Sequence, residues 1–218
     1  YETSRRAVEI AHEFENDPVY AAVGLHPTHL GKDDDTHTWN HEQYRTLAKS
    51  PKVVAIGETG IDYFRGNTTI ALQKQIFKEH IALAKELDKP LIIHCRPSKN
   101  TNDAYNDIIE IVENEKPLTG VCHCFLGTGE IAQKFMACGL YISFTGIITY
   151  KNADPKVLDA LHYIPLEKIL IETDSPYLTP EPYRGKSPNV PLYVEFVAQK
   201  IAEIKNLAKE AVIAETTK

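Results

Sequence analysis

The chain has 218 residues, a formal net charge of -6, 43% hydrophobic residues and 25% charged ones. That is the make-up of one globular domain with ample core, here expected to span residues 1–218. It excludes a broad basic nucleic-acid surface, though not a local phosphate site where divalent cations neutralise the ligand. No apolar run approaches the roughly 20 residues of a membrane span, so no membrane partner is expected. No secretory signal opens the chain. Cys95, Cys122, Cys124 and Cys138 lack the spacing of a disulfide framework, which points to a reducing, cytoplasmic setting.

Taken in order, the chain alternates helical and strand patterns. Thr3-Ser4 can cap a helix through Ala7, Ile10, Ala11 and Phe14, and residues 19–23 read as a strand ending in Gly24-Leu25-His26-Pro27. Residues 39–48 look helical. Val53, Val54, Ala55 and Ile56 then form an apolar, β-branched run that reads as a strand buried on both faces and ending at Gly57-Glu58. Thr68-Thr69 open a helix with Leu72, Ile76, Leu83 and Leu87 on one face. A strand ending in His94 follows, then a helix over 102–115, a strand ending in His123 and a short helix with Ile131 and Phe135. A strand over 139–144 and a helix containing Val157, Leu158 and Leu161 come next, and Ile169-Leu-Ile runs into Glu172-Thr-Asp174. A proline-rich loop over 176–191 leads to a long helix through Phe196 and Ile204 and a final partial one. No linker, repeat or low-complexity tract interrupts the pattern.

Alternating βα units imply a parallel sheet covered by helices. Ligand-type residues at so many strand C-termini favour a TIM (β/α)8-type barrel over a doubly wound sheet, because a barrel gathers its site at that rim. Only six strands are legible, so the expectation is an incomplete barrel lacking its first two strands and the end of its last helix.

Glu58, His94, His123 and Asp174 form the candidate metal set, since a carboxylate ending a buried strand needs a partner and imidazole with carboxylate suits Zn²⁺ or Mn²⁺, with Mg²⁺ where carboxylates dominate. A structural zinc site at Cys95, Cys122 and Cys124 is rejected: alternation along a strand turns both cysteines away from His123. His26 ends a strand in the same way and is a substrate contact, a proton donor or a structural histidine beside a turn. Asp62 either orients a metal-bound histidine or caps a turn. Glu172 either plays the orienting role or pairs with Arg96, which otherwise contacts phosphate. Arg184 and Lys186 are phosphate candidates in a loop that composition alone equally makes a solvated turn. Tyr177, Tyr183 and Phe125 either stack on bases or pack. His29, His37 and His41, with Asp33-Asp34-Asp35, read as solvated surface.

Gly24-Leu-His-Pro27, Gly57-Glu-Thr-Gly-Ile-Asp62, Ile93-His-Cys-Arg96, His123-Cys-Phe125, Glu172-Thr-Asp-Ser-Pro176 and Pro182-Tyr-Arg-Gly-Lys186, in this order, resemble the TatD family of metal-dependent deoxyribonucleases over nearly the whole chain. The resemblance implies a TIM-barrel hydrolase that uses two divalent metal ions to hydrolyse phosphodiester bonds in DNA, here expected as a monomer. It implies that Glu58 bridges the two ions, that His94 and His123 hold one, and that Asp174 holds the other. Glu58, Asp174 and His26 are then the catalytic candidates, and Arg96, Tyr183, Arg184 and Lys186 the substrate-binding ones. Two departures stand out. The family's His-x-His pair does not occur here, and Ser187-Pro-Asn-Val-Pro191 replaces Arg-Asn-Glu-Pro after the Arg-Gly-Lys run. The alternatives are hydrolysis of a small ester, lactone or cyclic amide on the same frame, and an inactive fragment with at most one metal.

Overall fold

The computed structural model describes residues 1–31, 39–65 and 68–218. They form two compact units, Tyr1–Gly120 and Val121–Lys218. The expected triplet Asp33-Asp34-Asp35 and His37 lie outside the described residues.

In the first unit, helix α1 (Glu2–Glu13) leads to strand β1 (Ala21–Val23), a single 3-10 turn (Pro27–His29), α2 (His41–Ala48), β2 (Val53–Asp62), α3 (Ile70–Leu87), β3 (Leu91–Arg96) and α4 (Asp103–Asn114). β1 pairs with β2, and β2 with β3, all parallel and in sequence order. Val23, Ile56, Ile61, Leu91 and Ile93 are buried, with Phe77 and Ile81 of α3 among the buried apolar residues. α2 starts two residues later than the pattern suggests because the Asn40 carboxamide caps it, accepting the Gln43 N–H at 3.1 Å. Ser4 is no cap. It sits inside α1 and holds Gly24 instead, donating to the Gly24 carbonyl at 3.1 Å and accepting its N–H at 3.2 Å. Lys52 is buried because its ammonium group meets the carbonyls of Phe14, Glu15, Asp17 and Val19 at 3.0–3.3 Å, closing the exit from α1.

The second unit runs through β4 (Gly120–His123, opening at the boundary), α5 (Gly129–Ala137), β5 (Tyr141–Phe144), α6 (Pro155–Tyr163), β6 (Ile169–Ile171), α7 (Val194–Lys205) and α8 (Lys209–Thr216). β4, β5 and β6 pair in parallel, again in order. Cys122, Leu140, Ile142, Phe144 and Phe135 are buried there, so Cys122 packs as a small apolar group, and burial pushes its thiol pKa up. Phe125, 1% exposed, sets its ring edge to face against Phe135 and Phe144, which corrects its reading as a base-stacking candidate.

Three differences from the sequence pattern matter for the site. β2 does not stop at Gly57: it continues to Asp62 through an irregularity between Ile56 and Thr59. Val54 is 45% exposed, so that strand is not buried on both faces. β6 ends at Ile171, which puts Glu172 and Asp174 just beyond the strand, although the Glu172 N–H still pairs with the Phe144 carbonyl at 3.1 Å.

Candidate metal centre

The first unit brings four of the expected residues together on the extended end of β2. Glu58, Gly60 and Asp62 alternate along the strand, and Gly60 is the ladder partner of His94 on β3. The His94 ring spans the two carboxylates: Nδ1 lies 2.9 Å from Glu58 Oε1 and Nε2 lies 3.0 Å from Asp62 Oδ2. Gly60 makes this approach possible, since a Cβ there would stand 2.1 Å from the His94 carbonyl oxygen at φ +135°.

His26 closes the group from β1's exit. Its ring lies 4.4 Å from that of His94 and its Nε2 is 3.4 Å from Glu58 Oε1. Its Nδ1 caps the 3-10 turn, accepting the Thr28 N–H at 3.2 Å beside the Thr28 hydroxyl at 2.7 Å. Accepting there places the ring proton on Nε2, the nitrogen that faces Glu58. One His26 nitrogen therefore has the structural role beside the turn, and the other faces Glu58. A cleft of about 350 Å³, lined in part by Ser4, Ala22, His29, His26 and Glu58, opens beside it.

Asp62 is fully buried yet ionised. Burial raises its pKa, but the hydrogen bonds from His94 and the Arg65 N–H, with the positive charges of both, outweigh it and hold the carboxyl down at about 2. The Arg65 guanidinium adds a bond at 2.9 Å. For His94 burial lowers the pKa, but Asp62 and Glu58 outweigh it and the net direction is upward.

A divalent cation fits this donor set. One ligand atom each from His26, Glu58 and His94 lie within 4.8 Å of one another; with its Nε2 carrying the proton, His26 faces the ion without ligating it, which leaves Glu58 and His94 as the ligands. Ligand bonds of about 2.0–2.2 Å allow donors to stand up to about 4.4 Å apart, so small side-chain movements close the site. With Asp62 on Nε2, His94 would offer Nδ1 to the ion, the arrangement in which an outer carboxylate orients and strengthens an imidazole ligand.

The second unit repeats the device. His123 Nδ1 lies 2.6 Å from Glu172 Oε2, and its Nε2 lies 3.7 Å from Asp174 Oδ1. Glu172 is fixed in turn by the Cys124 N–H at 2.8 Å and by the Ser143 hydroxyl. The proposed phosphate contacts stand on aromatic rings. Arg96 lies over Phe64 at 4.5 Å in the first unit. In the second, Arg184 lies over Tyr150 at 3.9 Å and donates to Asn152, while Lys186 lies 4.8 Å from the Tyr183 ring. Tyr183 itself stacks on Tyr193 at 4.6 Å and meets Phe196 edge-on, so part of its surface is spent on packing.

Two residues went unread in the sequence. Gln73 and His80 of α3 are buried, and they bond main-chain groups of Asp62, at the end of β2, and of Leu25, just past β1. The signal was present: residues 73, 76, 80, 83 and 87 step by three and four, so two polar side chains interrupt one apolar stripe.

The parallel α/β units match the TIM-barrel fold class, and the chain's relatives are metal-dependent hydrolases. The family model for TatD related DNase matches residues 1–218, and the chain belongs to that family. Among its relatives, the Bacillus subtilis (strain 168) protein named uncharacterized metal-dependent hydrolase YabD is 41% identical over 218 residues, covering 99% of this chain and 80% of its own. A protein of Escherichia fergusonii named 3'-5' ssDNA/RNA exonuclease TatD is 35% identical over 208 residues, 92% of this chain and 75% of its own. The crystal structure of YJJV, a TatD homolog from Escherichia coli K12, superposes with a TM-score of 0.86 at 29% identity, over 99% of this chain and 80% of that one. No helix among the described residues is long and apolar enough to cross a membrane.

Proposed function

We propose that this hydrolase cleaves phosphodiester bonds in DNA, as a cytoplasmic monomer, with divalent cations held by Glu58 and His94 and by His123 and Asp174. The observation that carries the reading is the twofold device above: in each unit an inner carboxylate occupies one imidazole nitrogen and a second carboxylate stands at the other. The relative named as a single-strand exonuclease supports the choice of nucleic acid. Divalent ions bound there supply Lewis acidity and bring the pKa of water toward neutrality.

The chain's own groups do the rest. Asp174 accepts the proton of the attacking water, and His26, with its proton on Nε2, donates to a phosphate or leaving oxygen. Arg96, Arg184 and Lys186 offset phosphate charge, and the remaining face of Tyr183 stacks on a base. Asp62 and Glu172 hold His94 and His123 in the ligand tautomer.

The test is Glu58→Ala, assayed on end-labelled single-stranded DNA with Mn²⁺ and by calorimetric titration with Mn²⁺. Cleavage and uptake at the first site should both vanish while the circular dichroism spectrum is kept. Undiminished, metal-independent cleavage by the variant would refute the assignment. Turnover of a small ester or lactone with no cleavage of any DNA would move the substrate class and leave the metal centre standing.

A further inference from the structure

The two buried polar residues of α3 touch no group that meets a ligand, yet each reaches one flank of the His26–Glu58–His94 cluster. Gln73 is 2% exposed, and its carboxamide takes both main-chain groups of Asp62: Oε1 accepts the Asp62 N–H at 2.8 Å, and Nε2 donates to the Asp62 carbonyl at 3.1 Å. A primary amide sets an N–H donor and a C=O acceptor side by side, as the main chain of a paired strand does, so Gln73 stands in for a neighbouring strand at the last residue of β2. His80, fully buried seven residues on, donates from Nδ1 to the Ile76 carbonyl at 2.8 Å. That fixes the tautomer, and Nε2 accepts the Leu25 N–H at 2.9 Å. Leu25 immediately precedes His26. Seven residues are two helical turns, so both side chains leave the same face of α3.

We propose that Gln73 and His80 are positioning residues for the cation cluster, one setting Asp62 and through it His94, the other setting Leu25 and through it His26. This rests on the reading of that cluster as a cation site. The chain of contacts is short and specific. Asp62 Oδ2 reaches His94 only if the strand end holds its rotation, and the Gln73 amide pins the peptide groups on both sides of Asp62. Likewise His26 faces Glu58 only if the backbone leaves β1 at the angle that the Leu25 N–H bond fixes. Ordinary packing does not ask for these residues: leucine or methionine would fill the stripe between Ile76 and Leu83 without a buried polar atom.

The experiment compares Gln73→Met, His80→Leu and His80→Gln with the wild-type chain in three measurements: Mn²⁺ affinity by calorimetry, the imidazole ¹H–¹⁵N signals of His26 and His94 in the metal-free protein, and the melting temperature. Gln73→Met and His80→Leu should weaken Mn²⁺ binding by at least roughly tenfold, the scale on which outer partners of metal ligands act. Gln73→Met should also lose the exchange-protected Nε2 proton of His94, and His80→Leu should shift the His26 ring signals. His80→Gln keeps an acceptor for Leu25 and should restore both. Should His80→Leu not fold, His80→Asn, polar but too short to reach the Leu25 amide, replaces it. Lowered melting temperatures with unchanged Mn²⁺ affinity and unchanged ring signals would overturn the proposal. A wild-type chain that takes up no Mn²⁺ would instead sink the cation reading, and the ring signals would then decide the positioning role alone.

Discussion

Acidification should loosen the first unit through His80, and the size of the effect follows from its surroundings. The ring is wholly buried; that burial pulls its pKa down from 6.5 to about 4, although the bond to the Ile76 carbonyl works the other way. A depressed pKa means that the folded state binds fewer protons than the unfolded one below pH 6.5. Stability is therefore intact above that value and falls as pH drops toward 4. A shift of this size gives a loss of about 2 kcal/mol between pH 8 and pH 5, and about 3 kcal/mol once pH is below both values. Trp39, the sole tryptophan, lies 3.9 Å from the His80 ring and stacks on Tyr44, so its fluorescence reports unfolding at this place. Urea titrations followed at Trp39 should be run at pH 8 and pH 5 on wild type and His80→Gln. Other titrating groups act on both proteins and cancel in the difference. The wild type should lose about 2 kcal/mol more than the variant. Equal pH dependence, or a smaller loss in the wild type, would show that His80 is solvated or charged in the folded chain.

Gly60→Ala should cost a few kcal/mol, about 3 or more, because its Cβ would collide with the main chain of His94 in a backbone conformation that side chains avoid; a wild-type melting temperature would refute the close approach of β2 and β3. Mn²⁺ affinity should fall as pH drops below the His94 pKa, which Asp62 and Glu58 hold above 6.5 against burial, with about a tenfold loss per pH unit as one proton competes for the ring. Calorimetry in two buffers of different ionisation enthalpy would register the released proton, and pH-independent binding without release would contradict His94 as a ligand.

Much of this was legible in the sequence, and the reasons differ by residue. The end of β4 could be read because a short apolar run stops at a residue of ligand type, His123; β3, expected to end at His94, runs on to Arg96 because it stays paired with the extended β2. The extension of β2 to Asp62 could not be read. Gly57 and Gly60 look like terminators, and only the ladder with β3 shows that they thin the strand for a passing backbone. Ser4 looked like a cap because serine before an apolar stripe usually is one; its partner, Gly24, is twenty residues away and invisible to local pattern. Phe125 followed the motif His123-Cys-Phe but turned inward to Phe135 and Phe144. Gln73 and His80 are not picked out by an apolar pattern because their polarity breaks it, although their spacing places them in the buried stripe.

The two imidazole sites show why carboxylates are stationed on both sides of each ring. A lone buried imidazole would choose its tautomer by whatever acceptor lay nearest, and a cation ligand requires a defined bare nitrogen. Asp62 and Glu172 remove that freedom: each is held by a main-chain donor, from Arg65 and Cys124 respectively, before it meets the ring. Both anchors sit close to the rings in sequence or strand register, so the tautomer is set by the fold and not by the ion. What remains around each ring is a second carboxylate, Glu58 or Asp174, whose charge the inner pair does not cancel when the imidazole is neutral. At His94, Asp62 and Glu58 shift the ring's pKa upward against burial, so a proton and a cation would compete for the same nitrogen.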